Sequence, residues 1–84
     1  MKLIDEILVE IERDPSSRFS AILARALASV CSRYYQVSLL DASVLHGKHH
    51  ELYIRLTRFT EEKDYSTNAQ DVALLRLRNL RLIE

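Results

Sequence analysis

Glycine and proline are almost missing from this chain, with one of each in 84 residues. A β-rich domain reverses direction every few residues, and tight reversals draw on the positive φ of glycine or the fixed φ of proline. Pro15 and Gly47 alone cannot supply those turns. The shortage argues for helices joined by short polar connections. A single glycine also excludes a glycine-rich phosphate loop. Cysteine is scarce too: Cys31 has no second thiol to pair with, so no internal disulfide calls for an oxidising compartment. No apolar run approaches the roughly 18 residues of a membrane span. The acids Asp5, Glu6, Glu10 and Glu12 make the N-terminal stretch the opposite of a signal peptide. A cytoplasmic protein without membrane contact is the expectation. Finally, charge of one sign is lacking. Twelve acids balance twelve Lys and Arg, which removes a long-range pull toward nucleic acid and also the repulsion that keeps copies of a protein apart.

What the chain does contain is 48% hydrophobic and 29% charged residues, the composition of a folded domain. Residues 1–84 make one domain with a single modest core, and domains this small often gain stability by oligomerising. The periodicity predicts a first helix over 2–13, with Leu3, Ile4, Ile7, Leu8 and Ile11 on one face and Val9 off it. The break Asp14-Pro15-Ser16-Ser17 offers N-caps and a helix-starting proline. A central helix follows over 17–35. Phe19, Ile22, Leu23, Ala26, Leu27, Val30 and Tyr34 fall on one broad arc, and Tyr35 is read as a surface residue. Ala21, Ala24 and Ala28 form a second, small-residue strip.

Ser38, with Asp41 three residues on, resembles a weak capping box for a short helix that ends at Gly47 in the C′ role. Residues 49–63 read as a helix with Leu52, Tyr53, Leu56, Phe59 and Thr60 on one face and Ile54 stranded. The alternative is an α+β fold with a strand near 51–58, where Leu52, Ile54 and Leu56 alternate with Tyr53, Arg55 and Thr57. Thr67 or Asn68 would cap a last helix over 69–83, with Asp71 in its first turn. The predicted fold is all-α, a small bundle of four or five short helices.

Candidate chemistry is thin. His46, His49 and His50 lie within five positions, and His46 with His50 has the i, i+4 spacing that holds zinc on a continuous helix. Gly47 interrupts that helix, so no metal is expected, with these three as weak candidates. Cys31 falls inside a helix at the rim of an apolar arc, where a thiol acts as a small hydrophobe. Glu61-Glu62 are adjacent, so on a helix they would point about 100° apart rather than at one substrate. Neither catalysis nor a cofactor is expected. Arg76, Arg78 and Arg81 would be the nucleic-acid contacts if the chain were a DNA-binding regulator of helix-turn-helix type. Against that alternative, the arginines are dispersed through a neutral chain and the segments after the candidate turns are leucine-rich. The favoured expectation is a non-catalytic module, homodimeric, that presents a helical surface to another protein. Ala21, Ala24, Ala28, Leu75, Arg78 and Leu82 are the expected interface residues, because they lie off the faces assigned to the core.

Overall fold

The computed structural model describes residues 3–32, 34–59 and 67–83. Five helices and no strand appear among the described residues: α1 (Leu3–Arg13), α2 (Arg18–Cys31), α3 (Leu39–Ala42), α4 (Lys48–Thr57) and α5 (Thr67–Asn79). The all-α expectation holds. The strand alternative near 51–58 does not, since α4 is helical through Thr57 and buries Leu52 and Leu56, four positions apart, while Ile54 faces out.

α2 is the hub. It packs against α1, α4 and α5, and α1 also meets α4 and α5. Leu23 and Leu27 of α2, Ile7 and Ile11 of α1 and Leu77 of α5 are fully enclosed at the centre. The α1 face is the one the 3.6-residue period picks out, and Val9 lies outside it, exposed. α2 begins where Ser17, in extended backbone, accepts a hydrogen bond from the Phe19 N–H. The buried Ser20 hydroxyl donates to the Asp14 carbonyl at 2.7 Å and fixes the approach of the chain to this helix.

α2 stops at Cys31, four residues before the predicted end, because Ser32 adopts extended backbone while its N–H donates to the Ala28 carbonyl at 2.9 Å. The stop rearranges the two tyrosines. Freed from the helix, Tyr34 swings out, 73% exposed, and Tyr35 turns in to 5%. The expectation of a core Tyr34 and a surface Tyr35 is thus reversed.

Ser38 caps α3 as predicted, accepting from Leu40 N–H and Asp41 N–H. α3 ends at Ala42, however, and Gly47 is the N-cap of α4 instead of a C′ residue. Its φ of 61° and ψ of −135° lie where residues with a Cβ are strained, so the glycine is needed for the turn into α4. α4 closes at Thr57, short of the predicted 63. Thr60, Glu61, Glu62 and Tyr65 lie outside the described residues.

α5 begins two residues earlier than predicted and stops at Asn79, not at 83. The stop is a complete Schellman motif: Arg81 N–H donates to Arg78 O and Leu82 N–H to Leu77 O, with Arg81 at a positive φ of 60°. Arginine stands where glycine is usual. With the earlier start, Asp71 falls beyond the first turn.

Candidate interaction surface

After α2 the chain returns along the outer side of that helix. Tyr35 is buried and anchors the return, its hydroxyl accepting from Arg78 Nη2 of α5 at 3.2 Å. Between the returning segment and α2 lies a surface cleft of about 470 Å³. One wall is Ala21, Ile22 and Arg25 of α2; the other is Gln36, Val37, Ser38 and Asp41. Its lining is therefore mixed, with an apolar part from Ala21, Ile22 and Val37, and Arg25 and Asp41 as an opposite-charge couple. Neither Arg25 nor Asp41 makes an ion pair among the described residues.

Leu39 and Leu40 stand on the rim between Ser38 and Asp41, 77% and 79% exposed. A four-residue helix offers one turn, and its buried residue is Ala42. The two leucines consequently have no core to enter. A second apolar strip runs along α5, where Val72 and Leu75, three positions apart, are exposed, Leu75 at 57%.

The residues expected at an interface divide between surface and core. Ala24 and Ala28 are 0% exposed and belong to the internal core, so in this fold they cannot meet another chain. Their small size serves close packing of α2 within its own bundle. Ala21 is half-buried and lines the cleft. Leu82 is half-buried against the core beside the α5 stop, and Arg78 is exposed but bonded to Tyr35. Leu75 alone among them is a large apolar group in the open.

The arginines of the DNA-binding alternative are not gathered on one face. Arg76 pairs with Glu12 of α1, Arg78 reaches Tyr35, and Arg81 sits in the helix stop. Arg55 of α4 likewise pairs with Glu6 of α1. The acidic side of α1 thus receives arginines from two helices.

His46 and His50 do not share a helix, because the Gly47 turn separates them. His46 meets the Phe19 ring edge-on and His49 stacks on it, each with centroids 5.5 Å apart, and His50 is exposed. No group of three His, Cys, Asp or Glu positioned to hold a metal ion occurs among the described residues. His49 Nε2 lies 3.7 Å from Glu10 Oε1. Glu10 Oε2, enclosed and without a hydrogen-bond partner, lies 3.6 Å from both Arg13 Nη1 and Lys48 Nζ. These are ion-pair distances rather than hydrogen bonds, and they hold the start of α4 against α1.

Cys31 is half-buried. Burial, and secondly the nearby Asp71 charge, push its thiol up from 9.0 to about 11, the opposite of what a nucleophile requires. No helix among the described residues is long and apolar enough to cross a membrane. Comparison with protein-family models, with curated proteins and with solved structures finds no match.

The leucine pair was the feature not singled out from the sequence. The Ser38 N-cap was legible and puts Leu39 and Leu40 in a first turn; that the helix ends at Ala42, too short to bury them, was not.

Proposed function

We propose that this chain is a small non-catalytic interaction module that works as a homodimer and presents a helical surface to another protein. The observation that supports it is the placement of its apolar side chains. A core closed by α1, α2, α4 and α5 leaves Leu39, Leu40 and Leu75 each more than half exposed. Single exposed apolar residues are ordinary on a monomer, whereas contiguous apolar surface rimmed by polar groups favours association. Leu39 and Leu40 are contiguous, with Ser38 and Asp41 on either side. Net neutrality adds no repulsion between copies.

Light scattering on a sizing column tests the homodimer. Twice the 9.8 kDa chain mass is expected on the column, and a monomer at tens of micromolar would refute it. Titration with duplex DNA at two salt concentrations tests the regulator alternative. The module reading expects no salt-sensitive binding, because Arg76 already answers Glu12. Tight binding that falls with salt and is lost on changing Arg76, Arg78 and Arg81 to Ala would replace it by the regulator.

A further inference from the structure

Resting on the homodimer reading, we infer that two copies meet through α3 and the adjoining cleft, the Leu39-Leu40 pair of each copy covering the cleft of the other. A two-fold contact requires one patch to be complementary to itself. This patch carries both halves of the complement. The projecting part is the exposed leucine pair, and the receiving part is the cleft with Ala21, Ile22 and Val37 in its walls. The two are adjacent, since Ser38 and Asp41 on either side of the leucines line the cleft. A two-fold axis running along the cleft, between its α2 wall and the wall that carries the leucines, turns the leucines of each copy onto Ala21 and Ile22 of the other.

Charge obeys the same operation. Arg25 and Asp41 sit in opposite walls of the cleft. Rotation about that axis sets Arg25 of one copy toward Asp41 of the other, twice per dimer. The α5 strip of Val72 and Leu75 contributes no residue to this cleft. A standard interface buries about 800 Å² per partner. Two leucines and a cleft make a smaller contact than that, on a surface of 5434 Å².

Charge reversal gives the test. Arg25→Asp leaves two acids facing each other across the contact, and Asp41→Arg leaves two cations. Each variant alone should dimerise about tenfold or more weakly than the parent, since like charges set together across an interface are costly. An equimolar mixture should dimerise again, because both cross-pairs become opposite in sign. Changing Leu39 and Leu40 together to Ser should abolish dimers, and circular dichroism would check that each variant keeps its helices. A parent that dimerises while the double Ser variant does so equally well would overturn this contact and leave the homodimer reading intact. So would single charge variants that dimerise like the parent. A monomeric parent would remove both.

Discussion

At the scale of single residues, burial decides what a side chain can do. Cys31 illustrates it: folding holds its thiol in the protonated form, with the ordinary value of 9.0 raised to about 11 by desolvation and then by Asp71. The folded state therefore retains a proton that the unfolded state has released between those two values. Stability from this group is whole below pH 9 and is lost as pH rises toward 11. Other groups ionise in the same range, so the comparison is with Cys31→Ala. Chemical denaturation should show the stability difference between parent and variant moving against the parent from pH 9 to 11, and a difference independent of pH would contradict the assignment. The half-apolar setting of Cys31 was legible from periodicity, but its place was not: the pattern puts it inside a longer helix, and the structure makes it the last residue of α2. The tyrosines were not legible either, because Tyr34 and Tyr35 exchange roles when α2 ends at Cys31, and the Ser32 backbone that ends it carries no glycine or proline to announce the stop.

Helix ends are where the elements depart most from their sequence patterns. The interior faces of α1 and α4 follow from spacing, whereas the boundaries depend on backbone states that side chains only partly encode. Gly47 and Arg81 make the point from opposite sides. Both have φ near +60°, but one is a glycine and the other is not. The glycine suggested a helix end and in fact starts α4; the arginine gave no sign and ends α5. A Cβ at Gly47 would meet nothing within 4 Å, so the penalty for Gly47→Ala is confined to the backbone. That penalty should be about 1–3 kcal/mol. Arg81→Gly should work the other way, gaining up to about 1 kcal/mol by relieving the left-handed residue of the Schellman motif. Thermal melts would read the pair as a fall and a rise of several degrees, at about 4–8 °C per kcal/mol for a domain of this size. Equal melting of Gly47→Ala and the parent would show that the α4 entry does not need its glycine.

For the molecule as a whole, the scarcity of turn residues was enough to read the fold class, because it constrains every connection at once. The interaction surface was harder to read. An apolar arc in sequence states that something covers it, but not whether the cover comes from the same chain, and Ala24 and Ala28 are covered from within. That internal cover makes α2 the point on which cooperativity depends. Its buried side faces α1, α4 and α5 together, with Leu27 wholly enclosed. Leu27→Ala should leave a cavity shared among these helices and cost about 2–5 kcal/mol. Since no helix has a core of its own, the loss should lower the stability of all of them equally. Far-ultraviolet circular dichroism follows the helices, and near-ultraviolet circular dichroism follows the tyrosines, among them the buried Tyr35. The two melting curves should coincide in the parent and move down together in the variant, as for a single two-state unit. A variant that melts like the parent would show Leu27 misplaced in the core. Curves that separate would show that one helix unfolds independently of α2.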